Sequence, residues 1–210
     1  MLDNMIVIGL CGPSGSGKGV LCEGFRKIGI PTINADEVYH DLTSGAGECM
    51  DALRSEFGDE IVNPEGGLDR RALAKLVFSS EGSDERRKRL NEISHKFVIA
   101  EIHRILDGLK ADNKYAVIDA PLLFESGLAM ECDLKVCIEV DDNIRIERIC
   151  KRDGITKKEA RARIKSQMDD RALDRVCDYV IDNYGTKEEM YLAAEKLIKI
   201  IEKKDRCYEG

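Results

Sequence analysis

Apolar residues along this chain follow two patterns. Short unbroken runs, from Met5 to Leu10, Thr32 to Ile33, Tyr115 to Asp119, Leu134 to Val140 and Tyr179 to Asn183, have the length and composition of buried strands. Between them lie longer stretches in which apolar residues recur every three or four positions, the spacing of one helix face. These predict helices over Val20 to Phe25, Glu37 to Leu42 and Glu48 to Phe57. Two more follow Asp69, the second carrying Leu90, Ile93, Phe97, Val98, Ile102, Leu106 and Leu109. Thr156 with Glu159, and Thr186 with Glu189, have capping-box spacing and open two further helices, the last turning Met190, Ala194, Leu197 and Ile201 inward and fraying from Lys203. Strands alternating with helices predict an α/β fold, a doubly wound five-stranded parallel sheet in one domain spanning residues 1–210. The stretch 36–112 reads as a helical insertion suited to binding a substrate.

The first strand leads into Gly12-Pro13-Ser14-Gly15-Ser16-Gly17-Lys18-Gly19, and Val20 starts the helical spacing. Strand, glycine-rich turn and helix are the setting of a phosphate-binding loop. Glycines at 12, 15 and 17 allow successive amides to converge on phosphate oxygens, and Lys18 adds a full charge to the partial charge of the helix N-terminus. Gly12, Gly17 and Lys18 satisfy G-x-x-x-x-G-K. The hydroxyl that this motif normally offers to Mg²⁺ after the lysine is replaced by Gly19 and then Val20, neither of which ligates a metal through its side chain. Mg²⁺ would then be held by ATP oxygens, water and carboxylates elsewhere. A nucleotide-binding protein without catalysis is the reading that this replacement leaves open.

Composition narrows the classes. A net charge of −7 argues against a nucleic-acid binder, because a phosphate backbone would be repelled overall. No apolar run approaches the roughly 20 residues of a membrane span, and the start of the chain lacks the basic, then apolar, pattern of a secretory leader. A cytoplasmic protein is expected. Eight cysteines are scattered, without a C-x-x-C pair, and read as reduced core thiols.

Two carboxylates end predicted strands. Asp36, just past the second, is placed either to cap the following helix or to meet a substrate hydroxyl as a base. Asp119 closes the third strand in the manner of a carboxylate that orients hydrated Mg²⁺. Farther on, Arg145, Arg148, Lys151 and Arg152 precede Gly154, and Arg161, Arg163, Lys165 and Gln167 follow it. Two arginine-rich helices joined at a glycine, residues 142–172, read as a lid that closes over a triphosphate and excludes water.

Lined up in order, these segments resemble the dephospho-coenzyme A kinases. The resemblance is carried by Gly9 to Lys18, Ile33 to Asp36, Phe57-Gly58, Leu68 to Arg70, Val77-Phe78, Ile93 to His95, Pro121 to Glu125, Lys151 to Gly154 and Cys177 to Gly185. It implies a P-loop kinase that phosphorylates the ribose 3′-hydroxyl of dephospho-coenzyme A with ATP and Mg²⁺. It further implies Asp36 as general base and Arg148 and Arg152 as lid residues facing the triphosphate. Ser14, Ser16, Gly19, Val20 and Asn183 fall with Lys18 on the nucleotide side, and His95, Leu122 and Glu125 on the acceptor side. Asn34, His40, Lys96 and Gly19-Val20 depart from the family's usual residues. The loop is equally similar to that of cytidylate kinase, so another small-molecule or nucleoside monophosphate kinase is the alternative.

Overall fold

The apolar runs form five strands, β1 (Ile6–Cys11), β2 (Thr32–Asn34), β3 (Tyr115–Asp119), β4 (Leu134–Glu139) and β5 (Tyr179–Asp182), in one sheet ordered β2-β3-β1-β4-β5. This computed structural model describes residues 5–78, 82–165 and 175–208. The pairings β1–β3, β1–β4 and β4–β5 are parallel, with Leu10 opposite Asp119, Cys11 opposite Cys137 and Glu139 opposite Asp182. Parallel pairing brings the carboxyl ends of these strands to one edge. The chain winds outward from β1 in both directions, so that edge is cleft at β1, where ligands of doubly wound sheets bind.

The helices are α1 (Lys18–Lys27), α2 (Ala35–Leu42), α3 (Glu48–Phe57), α4 (Arg70–Phe78), α5 (Ser83–Leu109), α6 (Asp142–Asp153), α7 (Lys157–Lys165) and α8 (Lys187–Tyr208). Contacts divide the chain into two units, one of Met1–Ile33 with Lys110–Gly210, the other of Asn34–Leu109. In the first, Leu21, Cys22 and Phe25 of α1 and Met190, Ala194, Leu197 and Ile201 of α8 pack with Ile8, Leu10, Val117, Val136 and Ile138 of the sheet. Full burial of side chains such as Leu21 and Phe25 contributes about 1.5–3 kcal/mol each. On the opposite face of β1, a Cβ at Gly9 would lie 2.6 Å from Cys132 Sγ, so only glycine lets the turn after β3 pack there. A smaller cluster, Ile146, Ile149 and Ala160, joins α6 to α7.

In the second unit Leu53, Phe57, Ile61, Leu73 and Val77 form a core against Ile93 and Phe97 of α5. Asp69 Oδ1 accepts from the amides of Arg71 and Ala72, capping α4 as its position predicts. The basic stretch of α5 is a solvated face, with Arg89 paired to Glu56 at 2.9 Å and Glu92 at 2.7 Å. Both capping boxes form: Thr156 and Glu159 exchange bonds at 2.8 and 3.3 Å, Thr186 and Glu189 at 2.6 and 3.3 Å. α8 runs to Tyr208 rather than fraying at Lys203, because the sequence from Lys203 to Tyr208 has no glycine or proline to break it.

Candidate functional site

β1 ends at Cys11 and the chain turns through Gly12 to Gly17 before α1 begins at Lys18. Gly17 is the N-cap, at φ +96°, and no side chain caps the helix. The first helical bond is made by the Val20 amide, to Gly17 O at 3.0 Å, so the amides of Lys18 and Gly19 before it remain as donors for an anion beside the Lys18 ammonium. Within the turn the Ser16 amide donates to the Pro13 carbonyl at 3.1 Å.

The carbonyl side of the loop is held by other elements. Arg145 Nε donates to Ser14 O at 3.3 Å, and Arg148 Nη1 to Gly15 O at 3.3 Å and Ser16 O at 3.5 Å. Asn183, just past β5 and only 3% exposed, donates from Nδ2 to Ser16 O at 2.5 Å, while its Oδ1 accepts from Arg148 Nη2 at 3.3 Å. With these carbonyls satisfied by α6 and β5, negative dipole ends are engaged away from the amides. The fit admits no side chain at 17: a Cβ there would stand 2.2 Å from Asn183 Nδ2, on a backbone already left-handed. Ser16 Oγ is buried and has no hydrogen-bond partner among the described residues.

Arg152 Nη2 donates to Ser14 Oγ at 3.2 Å while its guanidinium pairs with Asp153 at 2.7 and 2.9 Å, and Arg163 reaches the same carboxylate at 2.6 Å. The pairing with Arg152 holds the Asp153 carboxyl below its ordinary range and raises Arg152 in turn. Composition groups Arg145 with the solvated lid arginines, yet it is 2% exposed, bound to Ser14 O and to Asp142 at 3.0 Å. Its only sequence signal is the Asp three positions earlier.

Asp119 closes β3, opposite Leu10. Its Oδ2 accepts from the Cys22 thiol of α1 at 3.6 Å, and burial together with the Asp119 charge pushes that thiol up to about 12, so it stays a protonated donor. For Mg²⁺, the position after Lys18 is open: a Cβ at Gly19 would meet nothing within 4 Å. No group of three or more His, Cys, Asp or Glu among the described residues could hold a metal. One carboxylate beside a phosphate loop nonetheless fits an ion that binds through one or two carboxylates, substrate phosphates and retained water.

Leu122 and Glu125 are on the turn after β3, Leu122 half exposed and Glu125 exposed. The lid expected over 142–172 is described through residue 165; the rest, Gln167 included, lies outside the described residues. Asp36 and His95 belong to the other unit, His95 partly buried on α5 and Asp36 in the first turn of α2. The capping alternative for Asp36 is corrected: α2 begins two residues earlier than expected and its cap is Asn34, whose Oδ1 accepts from the amides of Asp36 at 2.9 Å and Glu37 at 3.2 Å. An extended Asn34 places its short carboxamide one turn from those orphan donors, which leaves the Asp36 carboxylate unspent by capping.

A phosphate loop at the carboxyl edge of a doubly wound parallel sheet, with an arginine-bearing helix on its carbonyl side, defines a P-loop kinase. More narrowly, the chain belongs to the dephospho-CoA kinase family, whose family model matches residues 6–189. It is 36% identical over 195 residues to a dephospho-CoA kinase of Corynebacterium glutamicum, covering 92% of this chain and 96% of that one. A dephospho-CoA kinase of Geobacillus kaustophilus is 37% identical, covering 88% and 90%. Among solved structures, TT1252 from Thermus thermophilus superposes with a TM-score of 0.79 at 28% identity, covering 94% of this chain and 98% of that chain. A shikimate kinase from Bacteroides thetaiotaomicron, at TM-score 0.56 and 15% identity over 95% and 99%, shares the fold alone.

Proposed function

We propose that this protein transfers the γ-phosphoryl group of ATP to the ribose 3′-hydroxyl of dephospho-CoA, giving CoA and ADP. The observation that carries the proposal is the loop Gly12 to Gly17, its carbonyls engaged by Arg148 and Asn183, in a chain matched by that family over residues 6–189.

In this reading Lys18 and the amides of the loop and of the first turn of α1 hold the β- and γ-phosphates. Asp36 accepts the proton of the attacking hydroxyl at its carboxylate. Arg152 and Arg148 supply positive charge beside the transferring group, for which a loose transition state spreads charge over three oxygens. Asp119 would hold Mg²⁺ through water, and the ion would supply positive charge against the negative charge that develops during transfer. The helical stretch 36–112, with His95, and the turn bearing Leu122 and Glu125 receive the acceptor. The arginine-bearing helices α6 and α7 close as a lid and exclude water, so that transfer outcompetes hydrolysis. The net charge of −7 suits a small anionic ligand held by local cations better than nucleic acid, and no helix among the described residues is long and apolar enough to cross a membrane. We place the protein in the cytoplasm.

The test is ADP release from ATP over an acceptor panel. Dephospho-CoA is expected to drive turnover while nucleoside monophosphates and buffer do not. Preferential turnover with a monophosphate, or ATP binding without any acceptor-dependent turnover, overturns the assignment.

A further inference from the structure

Three cysteines far apart in sequence meet at the root of the phosphate loop. Cys11 closes β1 immediately before Gly12, Cys137 is its partner on β4, and Cys177 stands two residues before β5. The sulfurs of Cys11 and Cys177 are 3.6 Å apart, the Cys177 thiol also shares a hydrogen bond with Cys137, and Cys11 lies 3.6 Å from the Val136 carbonyl, to which it donates. The phosphoryl transfer uses none of these thiols. The two sulfurs of Cys11 and Cys177 need approach by only about 1.5 Å to reach a disulfide bond length.

We infer that Cys11 and Cys177 form a reversible disulfide that weakens ATP binding. The oxidant is a hydroperoxide, hydrogen peroxide in the simplest case. Cys177 is partly exposed whereas Cys11 is 1% exposed, so the peroxide reaches Cys177 first. The Cys177 thiolate attacks one peroxide oxygen; an S–O bond forms, the O–O bond breaks, and hydroxide leaves and is protonated to water. Cys11 sulfur then attacks the Cys177 sulfenic acid; the S–S bond forms, the S–O bond breaks, and the departing oxygen takes up the Cys11 proton as a second water. Two thiols lose two electrons to one peroxide, yielding one disulfide and two waters. The hydrogen bond to Cys11 pushes the Cys177 thiol up to about 12, so this oxidation is slow at neutral pH and accelerates as pH rises. Such a pair responds to sustained oxidant rather than a brief pulse.

The consequence for nucleotide follows from connectivity. Cys11 leads directly into Gly12, and from Cys177 strand β5 leads to Asn183, which grips Ser16 O. A bond between the two cysteines draws together the stretches that set the two ends of the loop. A shift that costs one loop amide its hydrogen bond to a phosphate oxygen is expected to weaken ATP binding roughly tenfold. The inference rests on the loop being the ATP site.

The experiment treats the reduced protein with hydrogen peroxide, quenches with an alkylating agent, maps the linked peptides by mass spectrometry, and measures ATP affinity by calorimetry before oxidation, after it and after dithiothreitol. A Cys11–Cys177 peptide, a roughly tenfold weaker ATP affinity restored by dithiothreitol, and loss of both responses in Cys177→Ser are expected. Failure to find that peptide, a disulfide that leaves ATP affinity unchanged, or the same weakening in Cys177→Ser overturns the inference. Reduced protein that binds no ATP would instead remove the nucleotide reading, while the peptide map still reports whether the bond forms.

Discussion

Asn183 and Arg148 share one grip on the phosphate loop: the carboxamide oxygen of Asn183 accepts from Arg148 at 3.3 Å while its nitrogen donates to Ser16 O at 2.5 Å. Because the carboxamide is buried, replacing Asn183 by Ala leaves a buried carbonyl short of a donor, at a cost of about 1–3 kcal/mol. Asn183→Ala is therefore expected to lower the melting temperature and to weaken ATP binding together. Scanning fluorimetry and calorimetry check the pair of effects; lower stability with unchanged ATP affinity would deny Asn183 a part in shaping the nucleotide site.

Lys18 opens α1, where uncapped amides already favour negative charge. A charge-assisted hydrogen bond is worth about 1.5–3 kcal/mol, so Lys18→Ala is expected to weaken ATP by roughly 10- to 100-fold. The melting temperature of the nucleotide-free protein should change little. Equal ATP affinity in wild type and variant by calorimetry would contradict the assignment of the loop.

The corrected cap at Asn34 separates structure from chemistry in two neighbouring residues. Asn34→Ala removes the acceptor of two amides and should cost about 1 kcal/mol of stability. Asp36→Asn leaves that cap intact and should leave melting and ATP affinity near wild type, while kcat falls by about 10²-fold or more. Steady-state kinetics beside melting curves decide it, and an unchanged kcat removes Asp36 as the base.

At Gly19 a new side chain meets open space and the backbone is not left-handed. Gly19→Ser should therefore fold normally and restore a hydroxyl at the metal position of the motif. The expected outcome is tighter divalent-ion binding to the ATP complex, read by electron paramagnetic resonance of Mn²⁺ and by a lower Mg²⁺ concentration for half-maximal rate. Identical Mn²⁺ binding would show that the metal lies out of reach of residue 19.

Cys22 and Cys132 are buried thiols pushed from an ordinary value of 9.0 up to about 12, each chiefly by burial. A raised folded-state value stabilises fully below the unfolded value and is lost as pH climbs through the folded one, since the unfolded chain releases its protons first. Stability should accordingly fall between about pH 9 and pH 12. Melting temperature against pH checks this, with Cys22→Ala expected to flatten the decline; the same slope in the variant would assign the loss to other groups.

Local rules are legible in the chain by itself. The five apolar runs are strands within a residue or two, Asp69 and both Thr-x-x-Glu boxes are caps, and Gly12 to Gly17 is the loop between β1 and α1. Each depends on neighbours within a few positions, where spacing and propensity suffice. Tertiary structure alone decides what the arginines and the asparagine do. Arg145 has the composition of a solvated lid residue and is buried against Ser14 O, 131 positions away; Asn183 finds Ser16 O across 167. The convergence of Cys11 with Cys177 arises the same way, from the sheet order β1-β4-β5 rather than from spacing. Even the choice between Asn34 and Asp36 as cap lies beyond spacing, because two short polar side chains two residues apart both satisfy the sequence rule and only the extended backbone at Asn34 selects one.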